Sequence, residues 1–172
     1  QLLLQCPELI LEIQLSIDGI YEKHDAIRGK GQFEKLMKTY QTLRPIQDQN
    51  ERLRLRFNYT FSHKTQDHFA ETHRFVTEKL NNPHFDMVLV RRTTIDPEFF
   101  VPADMNKYRE ATLLLQRQER RKASGFLEKF LAERAEVERD IISNHYQGNR
   151  VMSNCQAGTL TAIISEEGEV RP

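Results

Sequence analysis

Apolar and polar residues alternate from Leu9 to Asp18: Leu9, Leu11, Ile13, Leu15 and Ile17 against Ile10, Glu12, Gln14, Ser16 and Asp18. A period of two predicts a strand with two different faces, which Gly19 ends. Phe33, Leu36, Met37, Tyr40 and Leu43 then fall at helical spacing, with Pro45 expected to close the helix. The pattern repeats. Leu53, Leu55, Phe57, Tyr59 and Phe61 alternate with Arg54, Arg56, Asn58, Thr60 and Ser62 as a second strand. Phe69, Thr72, Val76 and Leu80 mark a second helix, with Asp67 as its cap and Asn81-Asn82-Pro83 as its stop. Phe85–Val90 is a third, more continuously apolar strand. Strand–helix–strand–helix–strand, at about 35–45 residues per unit, predicts parallel strands with helices packed outside.

Both clear strands carry one apolar and one polar face. A doubly wound sheet is covered on both faces and is apolar on both. In a β/α barrel one face meets the helices and the other lines the lumen, with the site at the C-terminal ends of the strands. Gln14, Ser16, Asp18, Asn58, Thr60 and Ser62 suit a polar lumen, which puts a barrel ahead of a flat sheet. A one-sided antiparallel sheet is the alternative. Three strands are part of a barrel only, and the chain begins at Gln1 rather than Met, so a fragment is expected.

Asp104 to His145 reads as long, charged helix, capped by Asp104 and divided at Ser124-Gly125. Its packed side is expected at Tyr108, Ala111 and Leu115, and later at Phe126, Phe130, Val137 and Ile141. Leu160–Ser165, the turn Glu166-Glu167-Gly168 and Glu169-Val170 predict a β-hairpin.

The 25 basic and 25 acidic residues cancel, so composition gives no reason to expect nucleic acid or an acidic membrane as partner. No apolar run approaches the roughly 20 residues that cross a bilayer. Two cysteines, Cys6 and Cys155, make no disulfide framework and fit a cytoplasmic, reducing location.

Ser16-Ile17-Asp18-Gly19, then His24-Asp25 and Arg28-Gly29-Lys30-Gly31, is the densest run of chemistry-bearing residues. Ser16 and Asp18 share a face at the strand's C-terminal end, where a hydroxyl and a carboxylate can bind ribose hydroxyls. Arg28 can hold a carboxylate by a two-pronged pair. The plainer reading makes Asp18-Gly19 a turn and His24-Asp25 a cap for the following loop. Gly29-Lys30-Gly31 lacks the spacing and ending of a phosphate loop. His68 and His73, five apart, fall on different helix faces, which argues against a metal site with His63. Cys6, before Pro7, reads as a buried thiol.

Together these segments resemble the radical S-adenosylmethionine (SAM) family with a SPASM-type C-terminal extension. Ser16-Ile17-Asp18-Gly19-x4-His24-Asp25-x2-Arg28-Gly29-x-Gly31-x-Phe33-Glu34 looks like that family's fourth barrel strand and the loop after it. Phe85–Val90 with Arg91 and Asp96-Pro97 is similar, more weakly, to the sixth-strand region. Cys155-x2-Gly158-x9-Gly168-x-Val170-x-Pro172 is similar to the start of the extension's cysteine pattern, with the next cysteine due where the chain ends.

The resemblance implies an α/β fold: the second half of a TIM-like radical SAM barrel over residues 1–102, a helical linker over 103–150, and the start of a SPASM-type domain over 151–172. It implies an enzyme that cleaves SAM to a 5′-deoxyadenosyl radical for hydrogen abstraction, with a peptide or protein side chain among its candidate substrates. Ser16, Asp18 and Arg28 would bind the cofactor. Cys155 would ligate an auxiliary iron–sulfur cluster, and flavodoxin or ferredoxin would supply electrons. The Cys-x3-Cys-x2-Cys loop for the catalytic [4Fe–4S] cluster and the Gly-Gly-Glu methionine-binding motif would precede Gln1, so the 172 residues alone are expected to be inactive. The rival is a non-catalytic helical interaction module whose strands support the Asp104–His145 arm. A metal-dependent barrel hydrolase lacks the carboxylate and histidine set it needs.

Overall fold

The computed structural model describes residues 8–82, 84–90, 101–122, 125–146, 148, 163–164 and 170–171. They fall into two units, 1–136 and 137–172, each taken by itself below. The first unit opens with β1 (Leu11–Ser16), α1 (Glu22–Arg28), α2 (Gln32–Gln49) and β2 (Leu53–Phe61). A 3-10 turn (Gln66–His68) leads into α3 (Phe69–Arg74), which widens into a π turn (Phe75–Lys79) before β3 (Phe85–Leu89). Then come α4 (Met105–Lys122) and α5 (Phe126–Tyr146), within which the division between the units falls.

The three strands form one parallel sheet in the order β1-β2-β3. Leu11 pairs with Leu53 and Ser16 with Asn58, while Phe57 pairs with Phe85 and Phe61 with Leu89. The fold is therefore mixed α/β with a parallel sheet, as the alternation of elements predicts. The alternation along β2 explains its central place. Leu53, Leu55, Phe57, Tyr59 and Phe61 are buried, with the last four at 0% exposure. Burial of each such side chain contributes about 1.5–3 kcal/mol. Helix residues meet them ring to ring: Tyr40 on Phe57 at 5.1 Å, Phe69 on Tyr59 at 5.3 Å and Tyr108 on Phe61 at 5.4 Å between centroids.

The other sheet face is polar. Glu12, Gln14 and Ser16 are exposed, and Arg56, Asn58, Thr60 and Asp86 are half-buried. Arg56 bridges the three strands: Nη2 donates to Glu12 Oε2 at 3.3 Å and Nη1 to Asp86 Oδ2 at 3.2 Å. Ser62 is not on this face, contrary to expectation. It lies past the end of β2, fully buried, where its N–H donates to Thr65 Oγ1 at 2.9 Å.

Of four further expectations, the Asp104 cap is met and the other three are corrected or refined. Pro45 lies inside α2, which runs on to Gln49. A proline inside a helix removes the hydrogen bond to the carbonyl four residues back and crowds that carbonyl with its ring, at a cost of about 3 kcal/mol. Here that residue is Gln41, on the exposed side, where water can satisfy its carbonyl. Asp67 makes no cap bond: it lies inside the 3-10 turn ahead of α3, and its Oδ1 accepts from Lys107 Nζ at 2.6 Å. Asp104 does cap α4, accepting the Asn106 N–H at 2.8 Å. Tyr108, Ala111 and Leu115 form the buried side of α4, but Phe126, Phe130 and Val137 of α5 are 88%, 59% and 57% exposed. Periodicity shows that those three share a stripe; it does not show that anything covers the stripe.

In the second unit β4 (Ile163–Ile164) pairs antiparallel with β5 (Val170–Arg171), which agrees with the expected hairpin pairing. Cys6, Arg91, Asp96, Cys155 and Gly168 lie outside the described residues. No described helix is long and apolar enough to cross a membrane.

Candidate functional site at the end of strand β1

The sheet ladder continues one residue past β1, with the Ile17 N–H donating to Asn58 O at 2.9 Å. At Asp18 the chain leaves it. The Asp18 N–H donates to His24 Nδ1 at 3.1 Å instead. The Asp18 side chain turns back, and its Oδ1 accepts the Thr60 N–H at 3.1 Å, in the place a strand carbonyl would fill. Its other oxygen, Oδ2, lies 2.5 Å from Arg28 Nε. Asp18 is 1% exposed, and the side chain of Arg28 is 40% exposed. A buried carboxylate thus grips the near edge of the guanidinium and leaves its far edge facing out.

The turn that allows this is tightly built. A Cβ on Gly19 would sit 2.8 Å from Lys23 Cβ and 3.0 Å from the His24 nitrogen, so only glycine fits. Tyr21 adopts φ 50°, a rare conformation for a side-chain-bearing residue that costs about 1–3 kcal/mol. The Ile20 and Tyr21 carbonyls then accept the Lys23, His24 and Asp25 N–H groups and start α1.

Asp25 works on the next element. Its carboxylate accepts the Gly31 N–H at 2.6 Å and the Phe33 N–H at 2.8 Å, which pins the start of α2. These two backbone donors, Phe33 foremost, hold the Asp25 carboxyl below its ordinary value. Gly31 adopts φ 77° at that junction. Phe33, positioned in this way, stands edge-on to His24 at 5.9 Å and packs on Tyr21 at 5.0 Å. His24 is 3% exposed. Burial pushes its pKa below the ordinary histidine value, against the attraction of Asp18 and Asp25 and with the help of Arg28.

Ser16, His24, Arg28, Gln32, Lys35, Leu36 and Thr39 line a shallow cleft of about 310 Å³ beside this turn. Two cations, two hydroxyls and one amide suit a ligand with an anionic group and several hydroxyls. Ser16 and Arg28 therefore reach the same opening. Asp18 does not share the Ser16 face: it lies behind Arg28, with both oxygens engaged inside the protein. The turn and cap roles expected of Asp18-Gly19 and Asp25 are both present. Gln32, Lys35 and Thr39 were not singled out from the sequence, although their spacing of three and four places them on one face of α2.

His73 is buried, stacks on Phe69 and bonds Gln118, whereas His68 is half-buried in the 3-10 turn ahead of α3. Among the described residues no group of three or more His, Cys, Asp or Glu side chains can hold a metal ion. Comparison with protein families, with curated proteins and with solved structures finds no match to this chain.

Proposed function

We propose that this chain is part of a radical SAM enzyme, and that the β1 end cleft contacts S-adenosylmethionine. The observation that carries the reading is the pairing of Ser16 with an Asp18-anchored Arg28 at the C-terminal end of a parallel strand. That is where β/α barrels place ligands. The polar face of the three-stranded sheet fits a barrel lumen, and the residues of the cleft fit the chemistry of the ligand. The forked guanidinium of Arg28 matches a methionine carboxylate, with Lys35 adding positive charge. The Ser16 hydroxyl matches ribose hydroxyls. Asp18 contributes by orienting Arg28.

When bound beside a reduced [4Fe–4S] cluster, the cofactor supplies a 5′-deoxyadenosyl radical that takes a hydrogen atom from the substrate, here proposed to be a peptide or protein side chain. The residues of this chain bind, orient and shield. Residues 151–172 would begin a SPASM-type domain in which Cys155 ligates an auxiliary cluster, with flavodoxin or ferredoxin as reductant in the cytoplasm.

The test is to read the coding DNA on both sides of this segment. A Cys-x3-Cys-x2-Cys encoded upstream and further cysteines downstream are expected. An open reading frame that holds neither would overturn the proposal. A second reading, a helical interaction module, is favoured by one observation: the exposed Phe126, Phe130 and Val137 stripe on α5. That reading expects no cysteine motif upstream.

A further inference from the structure

His24 is spent on neither the sheet nor the surface. It is 3% exposed, and its ring lies between the end of β1 and the first turn of α2. Its Nδ1 is the partner of the Asp18 N–H. An N–H that points at Nδ1 requires a lone pair there, so the imidazole is neutral and carries its proton on Nε2. Asp18 is the hinge of the site, because its two carboxylate oxygens hold Thr60 and Arg28. The chain is short and direct: His24 fixes the Asp18 backbone, that backbone aims the carboxylate, and the carboxylate aims the guanidinium.

We infer that His24 is a positioning residue, whose neutral imidazole sets the Asp18 turn and through it the direction in which Arg28 faces the cleft. The inference rests on the proposed role of Arg28 for its functional meaning, but not for its structural content.

The arrangement is sensitive to protonation. A proton on Nδ1 would oppose the Asp18 N–H, two donors at 3.1 Å with no acceptor between them, and the turn would have to open. The groups around the ring pull in both directions. From the strand end, Asp18 favours the charged form, and from α1 Asp25 favours it while Arg28 opposes it. From α2, Phe33 contributes an uncharged ring edge, and Lys35 adds a further cation across the cleft. Burial outweighs the two carboxylates, so the neutral form persists below the ordinary histidine range.

The experiment is nuclear magnetic resonance on the whole 15N-labelled 172-residue chain. It reads the His24 tautomer and the exchange protection of the Arg28 Nε–H as pH is lowered. At about pH 7.5 the expected state has His24 protonated on Nε2 alone and Arg28 Nε–H protected. As His24 titrates, that protection should fall about tenfold, the equivalent of about 1.4 kcal/mol. His24→Asn keeps an oxygen acceptor where Nδ1 stands but does not titrate, so protection should persist through the same range. His24→Leu removes the acceptor and should lose protection at every pH while the Leu55 and Phe57 amides stay protected. If His24→Leu fails to fold, wild type against His24→Asn still decides. Protection that stays flat while His24 titrates, the same acid step in His24→Asn, or a proton on Nδ1 at neutral pH would each overturn the inference. S-adenosylmethionine titrated into the complete polypeptide that its gene encodes separates the two ideas. Absent binding beside an intact acid step retires the ligand reading and leaves His24 in its role.

Discussion

Asp18 and Arg28 meet at 2.5 Å across a boundary between protein interior and solvent: the carboxylate is 1% exposed and the guanidinium side chain 40%. The asymmetry gives the pair a direction. The carboxylate cannot reach a ligand itself, because its second oxygen holds the Thr60 N–H at 3.1 Å. The guanidinium can, because only its Nε edge is used. Charge is brought to the cleft by Arg28 and aimed from behind by Asp18.

Removing the two partners should therefore have unequal effects. Arg28→Ala strands a buried carboxylate with one neutral donor, and should lower stability by about 2–3 kcal/mol. Asp18→Asn keeps an acceptor for Thr60 and leaves a guanidinium that water can solvate, and should cost about 1 kcal/mol. Urea denaturation of the two variants checks the order. Equal losses would mean that Asp18 is not the buried anchor of the pair.

Asp25 should make α2 sensitive to acid. Its carboxyl is held below the ordinary value by the Phe33 and Gly31 N–H groups. A depressed carboxylate contributes stability that is present above the unfolded value, about 4, and is lost as pH falls through the lower folded value. Thermal midpoints of wild type and Asp25→Ala should differ at neutral pH and converge below about pH 4. A gap that stays constant across that range would show that the caps do not depend on the charge.

The first two strands were legible in the sequence because each alternates strictly, and the third because a short, nearly continuous apolar run follows the stop at Asn81-Asn82-Pro83. The capping role of Asp104 was legible for a similar reason, as a short acceptor directly before a helical run. What was not legible depends on partners far along the chain. Asp67 looks like a cap, but the chain folds it into a 3-10 turn ahead of α3 and pairs it with Lys107, forty residues on. Phe126, Phe130 and Val137 make a stripe whether or not anything packs on it. In the site, the run from Ser16 to Gly31 was legible as the densest cluster of chemistry-bearing residues, and the structure puts Ser16 and Arg28 of it on one cleft. Spacing could not show that Asp18 turns inward, because strand alternation assigns faces only while the strand lasts, and β1 ends at Ser16. Lys35, Gln32 and Thr39 were readable in principle as a polar stripe on α2, and only the cleft gives that stripe a purpose.

Cys155 tests the C-terminal part of the proposal independently of the cleft. In the complete polypeptide that its gene encodes, Cys155→Ala should hold less iron per chain than wild type after anaerobic reconstitution, with altered cluster absorption. Equal iron and identical spectra would remove Cys155 from the ligand set and leave the β1 site untouched.

The central claim is that the β1 end cleft contacts S-adenosylmethionine through Arg28. Equilibrium binding of the cofactor to the complete polypeptide its gene encodes, wild type beside Arg28→Ala, tests that most directly. Loss of a charge-assisted pair should weaken binding by about ten- to a hundredfold, with the far-UV spectrum of the folded protein retained. Equal affinity in a folded Arg28→Ala protein, or no binding by the wild type, would contradict it.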